Sequence, residues 1–543
     1  MSHIIRENLR CRRNAETATF PVSRGGSLAV CLIYPNRYYT AMSSLGFQTV
    51  YQLFNQQPDV YCERAFLPEK TELDRYDKSG ETLLSLESGR PLTDFDLVAF
   101  SISFEPDFIN IPLILKLARI PLLASERGGE SPLLIAGGAA CFLNPEPIAD
   151  FFDIFALGEG EALIPKLCNL LLSGATDEWQ KLLDAIGSLP GFYLPALPRS
   201  LPCKRISASL DTLPSCSALL TDETEFGNMF LVEVSRGCPR GCRFCAAGFV
   251  WQPFRWQPLE KLKEVCLHGL QYRKTIGLVG AAVSDHPQIV ELCRFIIDNN
   301  GVPSLSSLRV DRIDPQLLEL LFASGCKTIS LAPEGGSQRM RDMIRKNLTE
   351  KQILEAVEMV ADAGILNLRL YLIIGLPGET DEDLAELVSL ASKVQAAVVE
   401  KARQHKRLGE ITLSVNPFIP KPFTPLQWAG MASEHELKQK VSYLEKAVRK
   451  IPNLRLKVEE LQGAVLQALL SRGGRQLVPL IQVMSGGVKL RKAAKQCSID
   501  FTTEVTKTLP VDGQLPWDSI ESADKNLLLA EYAKAMELIG VKP

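Results

Sequence analysis

The chain has 543 residues, which is too long for one ordinary domain, so we expect two or three domains. Its 46% hydrophobic and 23% charged residues are typical of a soluble globular protein, and no apolar run of about 18 residues indicates a membrane span. A net charge of −3 does not indicate binding to nucleic acid, and the basic start of the chain differs from a signal peptide. The fourteen cysteines therefore suggest a reducing, cytoplasmic location.

The first part of the chain predicts a parallel sheet covered by helices. We expect a helix over residues 45–54, and the predicted strands are residues 28–33, 96–103, 133–136 and 152–157. Short apolar runs bounded by Gly, Pro and Asp, with helices between them, are typical of a doubly wound α/β domain. We assign this domain to residues 1–200. A connector at 201–225 follows, within a stretch (173–225) that is rich in Pro, Ser and Asp.

Small and polar residues follow the predicted strands of this domain. They are Ser101, Ser103, Gly137, Gly138 and the run Gly158-Glu159-Gly160-Glu161. Ligands of such sheets bind beyond the carboxyl ends of the strands, where glycine lets a ligand approach the backbone closely. The same glycines also suit tight turns, so the pattern alone leaves both interpretations open.

Three closely spaced cysteines are the most informative feature of the chain. Cys238, Cys242 and Cys245 have the spacing C-x3-C-x2-C and follow a predicted strand at 231–234. Three thiolates on one loop can hold three irons of a 4Fe–4S cluster and leave the fourth iron open for chemistry. A structural zinc site would need a fourth ligand at finger spacing, and none follows. The motif therefore predicts an enzyme.

The region around the cysteines predicts six β/α units, which we assign to residues 226–429. The predicted strands are residues 231–234, 275–279, 305–308, 328–331, 368–374 and 411–415. The helices between them are residues 259–272, 287–298, 315–323, 350–363 and 381–400. Such repeats form a barrel whose site lies at the carboxyl ends of the strands. Residues 430–543 predict a mostly helical region.

The cysteine motif with Phe244 before its last cysteine resembles the radical S-adenosylmethionine (radical SAM) superfamily, whose core is a partial barrel. The resemblance implies that Cys238, Cys242 and Cys245 ligate a 4Fe–4S cluster and that the free iron binds S-adenosylmethionine (SAM). It also implies reductive cleavage of SAM to a 5′-deoxyadenosyl radical. An external one-electron reductant of the flavodoxin or ferredoxin type is then expected.

The same resemblance suggests residues that bind SAM. Phe244 is expected beside the adenine, Gly280 near the amino group, Glu334 in contact with SAM, and Gly375 in a turn over the adenine.

Three further SAM-binding candidates come from the third and fifth strands. Ser306 and Arg309 lie in the segment that ends predicted strand three, and Arg369 lies within the otherwise apolar strand five. A buried arginine is costly unless it is paired. We therefore expect Arg369 to point into the barrel lumen toward the SAM carboxylate or a protein carboxylate.

The front domain resembles the cobalamin-binding domain that precedes many radical SAM cores. The resemblance depends on the Gly137-Gly138 turn and the Gly-Glu-Gly-Glu run, and it implies a cobalamin site at Ser101, Ser103, Gly137 and Gly138. The Asp-x-His-x-x-Gly motif that supplies histidine to cobalt is absent after strand one. Cobalamin would then bind without a protein ligand to cobalt, or the domain has kept its fold and lost the cofactor.

Three functions follow from these resemblances. The first is a cobalamin-dependent enzyme that methylates an unactivated carbon. The second is a methylthiotransferase of RNA or protein, because the pattern Phe-x-Pro-Lys-Pro-x-Thr-Pro-x-Gln-Trp at 418–428 also resembles that family. That family carries a second cluster on three cysteines of its N-terminal domain, and the cysteines that could supply them here are Cys11, Cys31, Cys62, Cys141 and Cys168. The third is a non-catalytic corrinoid or redox sensor. Lys421 in the proline-rich pattern is expected to be solvated or to meet a phosphate or carboxylate.

Overall fold

The computed structural model describes residues 2–174, 178–197, 201–210 and 215–541. The front domain is a six-stranded sheet in which five strands are parallel and the last is antiparallel. In spatial order the strands are Val60–Phe66, Leu28–Tyr34, Leu97–Ser101, Leu133–Gly137, Ile154–Ala156 and Phe192–Tyr193. The helices are Ser2–Asn14, Tyr38–Met42, Leu45–Asn55, Lys70–Ser79, Ile111–Ala118, Ala139–Leu143, Gly160–Leu172 and Trp179–Ser188. Both faces of the sheet are buried, which confirms the doubly wound fold.

The edge strand Val60–Phe66 was not predicted, because Glu63 and Arg64 interrupt its apolar run. Both side chains are nevertheless buried. Arg64 forms ion pairs with Glu16 over 2.5 Å and with Glu87 over 2.7 Å. Paired in this way, an arginine is tolerated inside a sheet.

The stretch 173–225 contains more structure than a connector. Helix Trp179–Ser188 and strand Phe192–Tyr193 complete the front domain. Strand Cys203–Lys204 pairs with Ile520–Glu521 near the end of the chain. These elements are too short for their hydrophobic periodicity to be recognised among the surrounding Pro and Ser residues. Residues 175–177, 198–200 and 211–214 of this stretch lie outside the described residues.

The second domain is a partial barrel of parallel strands, as predicted. A three-stranded sheet (Met229–Glu233, Thr275–Val279, Val302–Leu305) and a four-stranded sheet (Thr328–Glu334, Asn367–Ile374, Ile411–Pro417, Leu454–Val458) meet at a single bridge between Leu308 and Leu331. The helices are Leu259–Leu270, Ile289–Asp298, Pro315–Ala323, Gln338–Met343, Glu350–Asp362 and Asp381–His405. Strand three begins three residues earlier than predicted, and the seventh strand, Leu454–Val458, lies in the region predicted as helical.

The C-terminal region is mostly helical, as predicted. Its helices are Glu434–Val448, Leu461–Arg472, Val478–Ser485, Leu490–Gln496, Phe501–Thr506 and Lys525–Leu538. A buried polar contact ties this region to the other two. The Glu105 carboxylate of the front domain accepts hydrogen bonds from Lys421 (2.5 Å), Ser471 (2.7 Å) and Gln467 (3.0 Å). Lys421 thus meets a carboxylate, which is one of the two expected roles, but this carboxylate belongs to the protein itself.

Candidate active site

The three candidate cluster cysteines lie on one loop at the carboxyl end of the first barrel strand. Cys238, Cys242 and Cys245 follow strand Met229–Glu233 and the short strand Ser235–Arg236. Cys242 is buried, the other two are half-buried, and the Cys245 N–H donates to the Cys242 carbonyl over 3.0 Å. Burial raises the pKa of the Cys245 thiol to about 12. A thiolate at this position therefore needs a positively charged partner such as iron.

Close backbone contacts set the shape of this cluster loop. Gly237 has φ +82°, and a Cβ there would lie 2.1 Å from the Trp251 carbonyl oxygen. The Gln252 side-chain amide donates to the carbonyls of Cys238 (2.9 Å) and Gly248 (2.7 Å). These contacts give the loop a defined conformation. Among the described ranges, no three His, Cys, Asp or Glu side chains converge on a single metal ion. A 4Fe–4S cluster instead binds each cysteine through a different iron.

A group of paired charges lies beside the cluster loop. Arg240 bonds Asp285 over 2.6 Å and lies 3.2 Å from Asp311, on the loops after strands two and three. Arg309, a predicted SAM-binding residue, bonds Asp311 over 3.0 Å. Burial alone would raise the pKa of Asp311, but the hydrogen bond and charge of Arg309 lower it. Both aspartates escaped the sequence analysis, since nothing in their local pattern marks them.

Glu334 ends the fourth barrel strand in an uncommon backbone conformation. Its φ is +65°, and the strand register shifts just before it. Burial raises the pKa of this carboxyl, although Lys346, 3.5 Å away, partly opposes the shift. The charge of Glu334 adds a small part to the raised pKa of the Cys245 thiol, whose main cause is burial. Backbone strain of this kind is concentrated at functional sites, and a role in binding SAM remains our prediction.

Gly280 and Gly375 lie at the carboxyl edge of the barrel in two different packing environments. A Cβ on Gly280 would lie 2.7 Å from the Ser235 hydroxyl, so strand two packs directly on the base of the cluster loop. Gly375 has φ +71°, and its N–H donates to the Glu379 carboxylate over 2.7 Å. A Cβ on Gly375 would lie 2.8 Å from Leu437 of the C-terminal region. Neither glycine leaves room for a larger side chain.

The remaining candidates are spread over the barrel. Phe244 is half-buried within the cluster loop, and Ser306 is exposed directly after strand three. Arg369 is exposed and stands five residues before the end of strand Asn367–Ile374, which corresponds to about 16 Å below the carboxyl edge. No ion pair to Arg369 is found in the part of the chain that the structure describes. Its position favours an anion other than the SAM carboxylate.

A cavity of about 380 Å³ separates the front sheet from the barrel. Ser101, Ser103, Gly137 and Gly138, the four residues predicted for cobalamin, all line it. Gly138 has φ +103°, and a Cβ there would lie 2.5 Å from the Ile102 carbonyl oxygen. The turn therefore packs directly on the Ile102 backbone, and no side chain fits at Gly138.

The cavity also reaches the cluster loop. Gly280 and Trp251 form its barrel side, and the Trp251 carbonyl is the group that lies over Gly237. On the front side the cavity continues as an apolar slot between helices Leu45–Asn55 and Gly160–Leu172. Its walls include Val50, Leu53, Leu163, Ile164 and Leu167. Glu159, Glu233 and Arg236 also line the cavity, so this lining suits a ligand with an apolar part in the slot and polar groups toward the barrel.

Comparison with known proteins identifies the family. The family model described as "Radical SAM superfamily" matches residues 232–391, and the model described as "Radical SAM proteins, N-terminal" matches residues 46–195. An uncharacterised protein of Methanocaldococcus jannaschii is 30% identical over 474 residues, covering 86% of this chain and 94% of the relative. The chain belongs to the radical SAM superfamily.

Two further comparisons extend the similarity of this radical SAM protein. Hopanoid C-3 methylase of Methylococcus capsulatus is 30% identical over 195 residues, which cover 34% of this chain and 33% of the methylase. The solved structure of the cobalamin-dependent S-adenosylmethionine radical enzyme OxsB, with aqua-cobalamin and SAM bound, matches with a TM-score of 0.50 and 13% identity. The match covers 95% of this chain and 79% of OxsB. At this identity the likeness concerns the fold alone.

Membership of the superfamily makes the chain an enzyme with a 4Fe–4S cluster and SAM as cofactors. Radical SAM enzymes also need an external reductant. None of the described helices has the length and apolar character needed to cross a bilayer.

One contact between the domains of this radical SAM protein was not foreseen from its sequence. Glu159, in the run that suggested a ligand site, accepts hydrogen bonds from Arg255 (2.7 Å) and Arg236 (2.9 Å). Arg236 directly precedes Gly237 of the cluster loop, so a front-domain carboxylate anchors that loop. Burial alone would raise the pKa of Glu159, but the two arginines lower it. No local signal marks Glu159 as a partner, because the pairing residues are far apart in the chain.

Proposed function

We propose that the chain is a cobalamin-dependent radical SAM enzyme that methylates an unactivated carbon. The observation that carries the proposal is the cavity of about 380 Å³, whose lining runs from the front sheet to Gly280 and Trp251 beside the cluster loop. The names of two similar proteins support the proposal. Hopanoid C-3 methylase is a methylase, and OxsB is a cobalamin-dependent radical enzyme.

The residues of the chain would bind the cofactors and exclude water from them. Cys238, Cys242 and Cys245 would hold three irons of the cluster. When bound, the cluster supplies the electron that cleaves SAM, and cobalamin supplies the methyl group. Trp251, whose ring centroid lies 6.3 Å from that of Phe142, would separate the reacting groups from solvent. The candidates for SAM binding are Phe244, Gly280, Ser306, Arg309, Glu334 and Gly375.

Cobalamin would bind here without a protein ligand to cobalt. The described lining of the cavity contains no histidine. The polar residues after strand one have other partners, since Asn36 donates to Asp107 over 2.7 Å and Tyr38 donates to Glu16 over 2.6 Å. We therefore favour binding without an axial side chain over loss of the cofactor, because the four predicted residues still line an open cavity.

The methylthiotransferase alternative is less well supported. Its second cluster would need three ligands from five candidate cysteines, but Cys31 and Cys62 are buried in strands, and Cys141 and Cys168 are buried in helices. Cys11 is exposed on the first helix. The sensor alternative is weaker still, because the chain belongs to an enzyme superfamily.

The first test is anaerobic purification with added hydroxocobalamin, followed by a visible spectrum and a 5′-deoxyadenosine assay with SAM and dithionite. We expect corrinoid bands at stoichiometric level and deoxyadenosine formation. Cys242→Ala should abolish SAM cleavage, whereas Cys497→Ala, at a half-buried cysteine of the C-terminal region, should not. Wild-type cleavage by Cys242→Ala would refute the cluster assignment.

The second test concerns the cavity. Thr49 lines the slot, whereas Gln52 lies one turn further along the same helix and does not line it. Thr49→Phe should lower the corrinoid content to about a tenth, because the added ring fills the slot. Gln52→Phe should bind corrinoid as the wild type does. If Thr49→Phe also binds corrinoid normally, cobalamin does not occupy this cavity.

A further inference from the structure

We propose that the lower half of the barrel lumen binds the carboxylate or phosphate end of an elongated small-molecule substrate. The inference rests on the proposed function, because it assumes that the reacting carbon of the substrate lies at the cluster end of the barrel. It adds a class of substrate, an elongated anion, that the cofactor sites alone do not specify.

The inner face of the barrel is recognised by alternating burial along its strands. In strand Asn367–Ile374, Leu368 and Leu370 are buried, whereas Arg369 is exposed and Tyr371 is partly exposed. Residues paired across parallel strands point to the same face of a sheet. The register pairs Arg369 with Thr412 and Thr412 with Arg455, and it pairs Tyr371 with Ser414 and Ser414 with Lys457. Three cations and three hydroxyl groups thus share one inner surface.

These cations are only weakly compensated by the protein. Arg455 bonds Glu410 over 2.8 Å, but their side chains are 74% and 44% exposed. Water therefore screens this ion pair, and the attraction between the two charges is weak. Arg369 and Lys457 are exposed, and neither forms an ion pair within the described ranges. A surface with positive charge and few counterions attracts anions.

The acidic residues of the barrel strands lie nearer the carboxyl edge than these cations, and each already has a basic partner. Glu233 ends strand one and bonds Arg236 over 2.6 Å, and Glu334 ends strand four near Lys346. No other described inner-facing position of the seven strands carries a carboxylate. The positive charge of the lower lumen is therefore not cancelled from the opposite wall.

A hydroxyl-rich cavity of about 250 Å³ adjoins this surface. It fills the gap where the barrel sheet is split between strand Val302–Leu305 and strand Thr328–Glu334. Seven residues with hydroxyl groups line it: Thr275, Ser304, Ser306, Ser307, Ser324, Thr328 and Ser330. Ser330 is also the register partner of Arg369, so the cavity and the cations meet. Hydroxyl donors beside arginine and lysine are the groups that bind carboxylates and phosphates.

The depth of these residues sets the length of the substrate. Lys457 stands level with Ser414, three residues below the end of strand Ile411–Pro417, and this is about 10 Å below the carboxyl edge. Arg369 and Arg455 lie about 16 Å below the edge by the same measure. A molecule that reaches both the cluster and these cations is therefore elongated, with its anionic group at the end remote from the reacting carbon.

The test uses the full-length, cluster-containing enzyme and two probes, inorganic pyrophosphate and citrate, in isothermal titration calorimetry. We expect at least one probe to bind the wild type. Arg369→Gln and Lys457→Gln should each weaken that binding about tenfold, because each removes one charge-assisted contact, and the double variant should abolish it. Arg294→Gln removes an exposed charge from outer helix Ile289–Asp298 and should bind like the wild type. Any heat from chelation of iron by a probe would be the same in all these proteins, so it would not produce a difference between the variants.

Two results would overturn the inference: no binding of either probe to the wild type, or wild-type affinity in the double variant. A preference for pyrophosphate or for citrate, lost in the double variant, supports it and distinguishes a phosphate from a carboxylate. SAM cleavage and corrinoid binding are measured separately on the wild type without either probe. Their failure would refute the proposed function, whereas loss of anion binding alone would refute only the inference.

Discussion

The contact between Glu159 and the cluster loop allows a quantitative prediction. Glu159 is 4% exposed in its side chain, and its partners Arg236 and Arg255 are 13% and 15% exposed. Removing one partner of a buried ion pair costs about 3–5 kcal/mol, because the remaining charge is left without compensation. Glutamine keeps the size of the side chain and can still accept one hydrogen bond. We therefore expect Glu159→Gln to lower the free energy of unfolding by about 3 kcal/mol.

Urea titrations followed by circular dichroism, together with iron content, measure this effect. The control is Glu178→Gln, because the Glu178–Lys181 pair is 63% and 68% exposed and should cost less than about 0.5 kcal/mol. The lowered pKa of Glu159 means that its contribution is present above the pKa of the unfolded carboxyl and is lost as pH falls. The difference between variant and wild type should therefore shrink at low pH. If Glu159→Gln costs no more than the control at pH 7, the anchoring role is wrong.

Two further predictions concern a glycine and a buried carboxyl. Gly237→Ala should lower the iron content of the purified protein, because its Cβ would lie 2.1 Å from the Trp251 carbonyl oxygen, whereas Gly325→Ala, at φ +85° with open space around it, should keep its iron. Equal iron in both variants would contradict this reasoning. Burial raises the pKa of Asp107 from 3.8 to about 7, so the folded state loses stability as pH rises through that range. Asp107→Asn should therefore be more stable than the wild type by up to about 4 kcal/mol at pH 8 and by little at pH 4, as thermal unfolding at both pH values would show.

Much of the fold could be predicted from local patterns. The strands around residues 28–33 and 275–279 are continuous apolar runs between turn residues, and such runs need no long-range information to be recognised. The edge strand Val60–Phe66 and the seventh barrel strand Leu454–Val458 were missed, since charged residues interrupt both. In the first strand those charges are paired inside the protein, and in the second they face the open lumen.

The sequence by itself determined the chemistry of the site: three thiols at C-x3-C-x2-C spacing after a strand, which is a local property of eight residues. Only the tertiary structure decided which distant residues complete the site. It paired Arg309 with Asp311, and it brought Glu159 to Arg236. It also placed Arg369 low in the lumen instead of beside the cluster loop. These outcomes depend on contacts between distant parts of the chain. The attraction between two charges depends on their distance in space, and the packing of the domains sets that distance.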